Sequence, residues 1–164
     1  MPKEIQLKLK EGDEAPDFAA SVSGGGTISL AELKGHDVVL FFYPRDNTPG
    51  CTKEACAFRD HFADFRKSRI VVLGVSTDPV KSHDKFAAKF NFPFPLIADT
   101  ERKIVEAYGV WGQKSFLGRK YMGTYRVTFW IGPDGRIKKI WTTVKPEQHA
   151  AETLQAIQGG STRV

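Results

Sequence analysis

Two kinds of hydrophobic pattern alternate along the chain, and they predict alternating strands and helices. The segment 37–43 is apolar at every position after Asp37, and 70–75 is a second apolar run interrupted only by a glycine. Continuous apolar runs of this length are typical of strands that are covered on both faces of a sheet. A shorter strand is predicted at 94–98, where Pro95 favours an edge or entry position.

Segments in which hydrophobic residues follow a helical period separate these strands. Phenylalanine and alanine recur at spacings of three and four within 51–67, and the same spacing is found in 80–90. Thr100 and Gly109 are the candidate cap and end of a third helix, and Pro146 is a favoured first-turn residue for a last one. The predicted helices therefore cover 51 to about 67, 80–90, 101–108 and about 146–157.

Turn signals define two hairpins, one near each end of the chain. A serine and three glycines at 23–26 separate short strands predicted at 17–22 and 27–30. Gly-Pro-Asp-Gly at 132–135 joins strands predicted at 125–131 and 136–142. Strands that alternate with helices predict an α/β fold with a central sheet flanked by helices, and the second hairpin makes that sheet mixed. Because no linker or repeat is found, we expect a single domain over residues 1–164.

The composition restricts the class of protein. The 164 residues are 41% hydrophobic and 26% charged, an ordinary globular mixture that is long enough for one sizeable core. Two cysteines are too few for a disulfide scaffold. The longest apolar run, 38–43, is far below the roughly 20 residues of a membrane helix, and residues 1–6 lack the apolar stretch of a signal peptide. We therefore expect a soluble cytoplasmic protein that makes no membrane contact.

The net charge is positive, but the basic residues are dispersed. Lysine and arginine number 24 against 19 acidic residues, which gives a formal charge of +5. Basic residues occur at most in pairs, such as Arg119 with Lys120, and acidic residues lie among them. A scattered excess of this kind keeps a protein soluble and does not predict nucleic-acid binding.

The candidate reactive group is Cys51, which begins the predicted helix after a loop of turn-forming residues at 44–50. A helix N-terminus carries unpaired backbone N–H groups and the positive end of the helix dipole, and both stabilise a thiolate. The thiolate is the nucleophilic form of cysteine. Thr48 can place a hydroxyl beside the sulfur, and Pro44 can shield the thiolate from bulk water. We therefore predict a reactive thiol rather than a buried structural cysteine.

Cys56 lies five residues further along the same predicted helix. Ideal helical geometry separates the two Cα atoms by roughly 8.7 Å, whereas a disulfide requires less than about 7 Å. Two interpretations remain open: Cys56 is an ordinary helical residue, or the first turns unwind and let the sulfurs meet. A metal site that includes His61 is not predicted, because the three side chains rotate away from one another around the helix.

The segment 42–56 closely resembles the active-site segment of peroxiredoxins. It contains their Pro-x-x-x-Thr-x-x-Cys signature at Pro44, Thr48 and Cys51. Its Cys-x-x-x-x-Cys spacing is similar to that of the peroxiredoxin Q subfamily, also called bacterioferritin comigratory protein. The resemblance covers most of the chain, with further similar segments at 12–18, 108–112, 121–123 and 126–129. Trp130 and Gly132 depart from the residues that are more usual in this strand.

This resemblance implies a thioredoxin-like fold and the reduction of hydrogen peroxide or organic hydroperoxides. Cys51 matches the peroxidatic cysteine and Cys56 the resolving cysteine, which together form an intrachain disulfide that thioredoxin reduces. Arg126 matches the arginine that faces the thiolate, and Glu54 matches a carboxylate placed to orient it. The backbone N–H of Cys51, the Arg126 guanidinium and the Thr48 hydroxyl are the candidate donors to the peroxide oxygens. The resemblance also implies a monomer without haem, flavin or metal.

Two other classes of protein remain open from the residues alone. A thiol–disulfide oxidoreductase would share the fold, although such enzymes usually carry Cys-x-x-Cys. A non-catalytic binding protein would use the cysteines as a redox switch and would hold its partner with exposed aromatics such as Phe116 or Tyr121. Peroxide consumption distinguishes the peroxidase from both alternatives.

Overall fold

The structure is a computed structural model that describes residues 7–161. The strands in this range are β1 (Ala19–Ser21), β2 (Thr27–Ser29), β3 (Asp37–Phe42), β4 (Ile70–Ser76), β5 (Leu96–Ala98), β6 (Trp111–Phe116), β7 (Arg119–Thr124), β8 (Val127–Ile131) and β9 (Ile137–Trp141). The helices are α1 (Pro49–Asp60), α2 (Phe62–Lys67), α3 (Val80–Phe90), α4 (Lys103–Ala107) and α5 (His149–Ser161), and a short 3-10 helix covers Ala31–Leu33.

Five strands form the central sheet, in the spatial order β5-β4-β3-β8-β9. β3 is parallel to β4 and β4 to β5, whereas β8 is antiparallel to both β3 and β9. The predicted mixed sheet is therefore confirmed, and β5 lies at its edge, as Pro95 indicates. The two predicted hairpins are present as β1–β2 and β8–β9.

The side chains of β3 alternate between two hydrophobic cores on opposite faces of the sheet. Leu40 and Phe42 belong to the core that includes residues of α4 and β8. Val39 and Phe41 belong to the core that α1, α2, α3 and α5 cover. There the ring of Phe58 in α1 stacks on Phe41, with the ring centroids 4.6 Å apart. This contact fixes α1, and the reactive segment at its start, against the sheet.

The single helix predicted over 51–67 is in fact two helices. α1 begins at Pro49, so that Cys51 is its third residue rather than its first. α1 ends at Asp60, and His61, with φ −98° and ψ 5°, separates it from α2. Cys51 still lies in the first turn, where the backbone N–H groups have no partner within the helix.

The predicted start of the third helix is wrong. α4 begins at Lys103, because the side chain of Asp99 caps it instead of that of Thr100. Asp99 Oδ2 accepts hydrogen bonds from the N–H groups of residues 104 and 105, at 3.0 and 2.8 Å. Arg102 precedes the helix in the left-handed conformation, with φ 63°.

The predicted start of the last helix is also wrong. α5 begins at His149, three residues after Pro146. Pro146 lies instead in a turn in which the Lys145 carbonyl accepts hydrogen bonds from the N–H groups of residues 148 and 149, both at 3.0 Å. Neither α5 nor any other helix within residues 7–161 has the length and apolar composition needed to span a bilayer.

β6 and β7 form a hairpin that the hydrophobic pattern does not predict. Gly112 and Gly123 pair across its strands, and Leu117 and Gly118 turn the chain with φ values of 50° and 80°. Most of its side chains are at least partly exposed. A strand without a buried face lacks the apolar alternation by which strands are recognised.

Candidate active site

The loop between β3 and α1 brings Cys51 into the first turn of α1. Thr48 is extended, with φ −98° and ψ 155°, and Pro49 takes the first helical position, which its fixed φ suits. The Thr52 N–H donates to the Thr48 carbonyl at 2.8 Å and closes the first turn. The N–H groups before Thr52 are therefore available to a ligand or to an anionic side chain.

Arg126, which directly precedes β8, connects Cys51 with Glu54. Its Nη2 donates to Cys51 Sγ at 3.2 Å, and its Nη1 donates to Glu54 Oε1 at 2.7 Å. Cys51 and Glu54 are three residues apart and share one face of α1. Both are buried, whereas 22% of the Arg126 side chain is exposed. We call these three residues the Cys51 cluster.

Burial determines the electrostatics of the Cys51 cluster. Desolvation raises the pKa of Glu54 to about 7, although the attraction of Arg126 opposes this shift. Desolvation also works against the charge of Arg126, but Glu54 and Cys51 outweigh it, so that the pKa of Arg126 is raised. Glu54 Oε2 is buried without a hydrogen-bond partner. Near neutral pH the cluster can therefore exchange a proton at Glu54 while Arg126 keeps its charge.

Gly50 leaves the space that the Arg126 guanidinium occupies. A Cβ atom at this position would lie 3.1 Å from Arg126 Nη2, which is closer than an ordinary contact. The sequence suggests only a turn-forming role for Gly50, because the close approach involves a residue that is remote along the chain. Gly50 is thus a site residue that sequence reasoning misses.

Thr48 and Pro44 lie in the loop beside the Cys51 cluster. The Thr48 hydroxyl donates to the Arg45 carbonyl at 2.9 Å, so its proton is engaged within the loop. The hydroxyl oxygen keeps lone pairs that can accept a hydrogen bond. The structure therefore makes Thr48 an acceptor towards a ligand, rather than the donor expected from the sequence. Pro44 is half-buried and is the second residue after the end of β3.

Cys56 lies outside the Cys51 cluster on the same helix. α1 is continuous from Pro49 to Asp60, and both cysteines are free thiols. Cys56 is partly exposed, whereas Cys51 is buried. Burial raises the pKa of Cys56, with smaller opposing contributions from Arg59, which lowers it, and Asp60, which raises it. In this state the intact helix keeps the two cysteines apart.

A second polar cluster, in which two side chains are buried and two half-buried, connects the same loop to the end of β4 and to α3. His83 Nδ1 lies 2.7 Å from Asp46 Oδ2, and His83 Nε2 lies 2.9 Å from the Ile97 carbonyl. The Tyr43 hydroxyl donates to Asp46 Oδ1 at 2.7 Å. The Asp46 N–H donates to Asp78 Oδ2 at 2.8 Å. We call Tyr43, Asp46, Asp78 and His83 the Asp46 cluster.

The side chains of Asp46 and His83 form a hydrogen-bonded pair that is shielded from solvent. The Asp46 carboxylate accepts hydrogen bonds from the hydroxyls of Tyr43 and Ser82, at 2.7 Å each, and also faces His83. His83 Nε2 faces the Ile97 carbonyl, which can only accept a hydrogen bond, and Nδ1 faces Asp46 Oδ2 and the Tyr43 hydroxyl. Asp46, Asp78 and His83 hold possible metal-ligand atoms within 4.8 Å of one another. Because Asp46 and both ring nitrogens are already engaged, we assign the cluster a structural role.

His149 in α5 is a further buried polar residue that the sequence does not indicate. Its Nε2 lies 2.7 Å from Thr128 Oγ1 in β8, and its Nδ1 lies 3.5 Å from Glu152 Oε1. Burial lowers the pKa of His149 to about 4; Glu152 opposes the shift and the positive Arg126 adds to it. His149 is therefore neutral near neutral pH.

Known proteins with similar sequences and structures identify the family. Residues 11–140 match the AhpC/TSA family. Over 152 residues the chain is 44% identical to Peroxiredoxin Bcp of Bacillus subtilis, which covers 93% of this chain and 97% of that protein. A PrxQ variant from Xylella fastidiosa matches with a TM-score of 0.88 and 36% identity, over 93% of this chain and 98% of that one. The bacterioferritin comigratory protein of Xanthomonas campestris, described with its alkyl peroxide reduction activity, gives a TM-score of 0.83 and 39% identity, over 87% and 90%.

These similarities decide among the classes that the residues leave open. The central sheet with its flanking helices is a thioredoxin-like fold, shared with peroxiredoxin structures along most of the chain. Peroxiredoxins are thiol peroxidases, which sets aside the disulfide oxidoreductase and the non-catalytic switch as primary functions. The chain belongs to the AhpC/TSA family, in its peroxiredoxin Q/Bcp group, and is a thiol-dependent peroxidase.

Proposed function

We propose that Cys51 attacks the peroxide and that Arg126 stabilises the charge that moves during the attack. The contact of 3.2 Å between Arg126 Nη2 and Cys51 Sγ is the observation that carries this proposal. A guanidinium at this distance can donate to the sulfur and to the oxygen atoms that reach it, and so stabilises negative charge as it moves between them. Glu54 holds the other side of the guanidinium at 2.7 Å, so it acts through Arg126 as a positioning residue.

In the first step the Cys51 thiolate attacks the terminal oxygen of a hydroperoxide. An S–O bond forms as the O–O bond breaks, so that sulfur is oxidised to a sulfenic acid. The departing alkoxide takes up a proton and leaves as an alcohol, or as water when the substrate is hydrogen peroxide. Arg126 and the unpaired N–H groups of the first turn stabilise the negative charge as it moves to the leaving oxygen. The hydroperoxide O–H donates a hydrogen bond to the Thr48 hydroxyl oxygen, which orients the oxygen that is attacked.

In the second step the Cys56 thiol attacks the sulfenic sulfur, and a disulfide forms as water leaves. The Cα separation of roughly 8.7 Å in an intact helix is too large for this bond, so residues 51–56 must leave the helical conformation. Phe58 lies two residues after this segment and is stacked on Phe41 of the sheet. We expect the unwinding to stop at Phe58, because this contact holds the remainder of α1 in place.

We also propose the substrates, the reductant and the state of the protein. Hydrogen peroxide and organic hydroperoxides are the proposed substrates, and the alkyl peroxide reduction described for the Xanthomonas campestris relative supports the second class. A thioredoxin is the proposed reductant, since the disulfide requires a dithiol to restore both thiols. The two cores use opposite faces of β3, which supports a single domain over residues 1–164. A cytoplasmic monomer remains our expectation, to be tested by cell fractionation and sedimentation.

Single-cysteine variants test the roles of Cys51 and Cys56. One equivalent of hydrogen peroxide should remove two hydrogens from the mass of the wild type without dimerisation, add one oxygen to Cys56→Ser and leave Cys51→Ser unchanged. Cys51→Ser should also lose peroxidase turnover with dithiothreitol. Retained turnover in this variant would show that Cys51 is not the nucleophile. In the wild-type disulfide form, unchanged hydrogen exchange across residues 51–56 would contradict the proposed unwinding.

A further inference from the structure

The β6–β7 hairpin carries all of the large hydrophobic side chains that are exposed within residues 7–161. They are Phe116, Leu117, Tyr121 and Met122, with exposed fractions of 67%, 88%, 47% and 55%. Elsewhere in the described chain, the large hydrophobic side chains are buried or half-buried. Exposed apolar side chains that are concentrated at one place typically mark an interaction surface.

The strand register sorts the hairpin side chains into two faces. Lys114 in β6 pairs with Tyr121 in β7, and two positions further along, Phe116 pairs with Arg119. Residues that pair across an antiparallel ladder lie on the same face, and side chains two apart on a strand share a face. These four side chains therefore form one surface, which we call the aromatic–basic face. Lys120, adjacent to Arg119, lies on the opposite face.

The aromatic–basic face begins beside the Cys51 cluster. Lys114 Nζ donates to the Thr124 carbonyl at 3.1 Å, near the base of the hairpin and two residues before Arg126. Burial lowers the pKa of Lys114, the nearby charge of Arg126 lowers it further, and Cys51 opposes the shift. From Thr124 the hairpin extends for about 17 Å along β7. The face thus leads from the reactive sulfur out to the exposed tip.

The charge of the hairpin indicates the chemistry of a complementary partner. Residues 111–124 include three basic residues, Lys114, Arg119 and Lys120, and no acidic residue. A second copy of the chain would bring the same positive hairpin to a symmetric contact, and the like charges would oppose it. A protein with an apolar patch that is rimmed by acidic side chains would be complementary to the hairpin, both to its exposed hydrophobic side chains and to its positive charge.

We propose that the aromatic–basic face docks a protein dithiol reductant with an apolar, acid-rimmed contact surface, an inference that rests on the proposed function of Cys51 and Cys56. Small hydroperoxides can reach the sulfur without such a surface, whereas a protein reductant must hold its own sulfur beside the disulfide. A reductant thiolate attacks one sulfur of this disulfide, the S–S bond breaks and a mixed disulfide forms. A second reductant thiol then attacks the mixed disulfide. The reductant supplies two electrons and becomes a disulfide, and both thiols of this chain are restored.

Two adjacent charge reversals form a matched pair that tests the docking proposal. Arg119→Glu and Lys120→Glu make the same change at exposed positions on opposite faces of the hairpin. We expect Arg119→Glu to lower the rate constant for reduction of the disulfide by a bacterial thioredoxin about tenfold, and Lys120→Glu to lower it less than about threefold. Phe116→Ser should resemble Arg119→Glu, because it removes an aromatic ring from the same face. Reduction by dithiothreitol, which is too small to use the face, should be equal in all four proteins.

Several outcomes would overturn the proposal. Equal losses in the two glutamate variants, or no loss in either, would show that the aromatic–basic face does not dock the reductant. If thioredoxin reduces the wild-type disulfide no faster than dithiothreitol does, the docking proposal is wrong, whereas the peroxidase assignment stands. If the wild type forms a dimer that Arg119→Glu dissociates, the face binds a second copy of the chain instead. If the wild type binds phosphatidylglycerol vesicles and Arg119→Glu abolishes this binding, the face binds an anionic membrane instead. Failure of the proposed function is recognised separately, because no disulfide would then form before any reductant is added.

Discussion

The two polar clusters at the loop between β3 and α1 are both largely buried, but they satisfy their hydrogen bonds to different degrees. In the Asp46 cluster, both carboxylate oxygens of Asp46 and both ring nitrogens of His83 have partners within 2.9 Å. In the Cys51 cluster, Glu54 Oε2 has no partner, and Arg126 divides its donors between a carboxylate and a sulfur. The first cluster holds the loop, and the second holds the sulfur.

The difference indicates how the two clusters divide structure from chemistry. A buried network in which the polar atoms are paired is rigid, so the Asp46 cluster fixes the loop that carries Thr48. An unpaired buried carboxylate oxygen is costly, and groups of this kind are concentrated where a reaction changes the charge. We therefore expect damage to the Asp46 cluster to lower stability first, and damage to the Cys51 cluster to lower activity first.

The largest expected effect follows from removing one partner of the buried pair of Asp46 and His83. His83→Leu leaves Asp46 Oδ2 and the Ile97 carbonyl without the hydrogen-bond partner that the imidazole ring supplies. Leaving two buried acceptors unpaired lowers the free energy of unfolding by about 4 kcal/mol, at about 2 kcal/mol for each acceptor. A urea titration followed by tryptophan fluorescence measures the loss. The rate of Cys51 oxidation in the folded fraction should change much less.

Asp46→Asn provides the control for this prediction. Introduced into His83→Leu, it replaces the carboxylate that has lost its partner and should recover part of the lost free energy of unfolding. Additive losses from the two substitutions would mean that Asp46 and His83 are not coupled. The contact between these two side chains would then not be what stabilises the loop between β3 and α1.

The next effect concerns Arg126 and is expected on the rate of oxidation rather than on stability. Arg126→Ala removes the donor to Cys51 Sγ, and the loss of one such donor lowers a rate by roughly a hundredfold to a thousandfold. Glu54 loses its partner, but it can take up a proton, because burial already raises its pKa to about 7. We therefore expect a smaller loss of stability than in His83→Leu. Stopped-flow fluorescence after mixing with hydrogen peroxide measures the rate.

Arg126→Lys is the matched control, since it keeps the positive charge but cannot bridge Cys51 and Glu54 as a guanidinium does. Its oxidation rate should lie between those of the wild type and Arg126→Ala. If Arg126→Ala oxidises at the wild-type rate, the guanidinium does not stabilise the attack, whatever its distance from the sulfur.

The two clusters also differ in how far the sequence predicts them. Cys51 and Glu54 are three residues apart, so the helical period alone places them on one face. Arg126 joins them from the start of β8, and only the family resemblance, not the spacing, selects it. The Asp46 cluster joins a loop to α3 through Asp46 and His83, which are 37 residues apart. No local pattern relates residues at that distance, so the cluster is visible only in the structure.

The same reasoning explains which parts of the fold are predictable. The helix predicted at 80–90 matches α3 at both ends, and β3 is evident because both of its faces are buried. The β6–β7 hairpin has no such apolar signature. Asp99 and Thr100 are both good capping residues, and the left-handed backbone at Arg102 accompanies the use of Asp99. Which of the two residues caps the helix depends on the local backbone geometry, which composition does not encode.

The smallest expected effect is a pH dependence of stability in which Glu54 and His149 oppose each other. Burial raises the pKa of Glu54 from 4.5 to about 7 against the attraction of Arg126, so its contribution is present below pH 4.5 and is lost as the pH rises through 7. Burial lowers the pKa of His149 from 6.5 to about 4, with Glu152 opposing and Arg126 assisting. The His149 contribution is therefore present above pH 6.5 and is lost as the pH falls through 4. Between pH 4.5 and 6.5 the fall in stability due to Glu54 and the rise due to His149 should largely cancel in the wild type.

Glu54→Gln removes the pH dependence of stability that Glu54 contributes, so that the pH dependence due to His149 should become measurable. We expect its free energy of unfolding to rise by up to about 3 kcal/mol as His149 loses its proton between about pH 4 and 6.5, and to stay level from pH 6.5 to 7, where the wild type still loses stability. His149→Gln is the matched variant, and its stability should fall as the pH rises from 4.5 to 7. Urea titrations across this range measure both profiles. If Glu54→Gln keeps the wild-type profile, Glu54 is ionised throughout, and Arg126 rather than a proton then compensates the buried carboxylate.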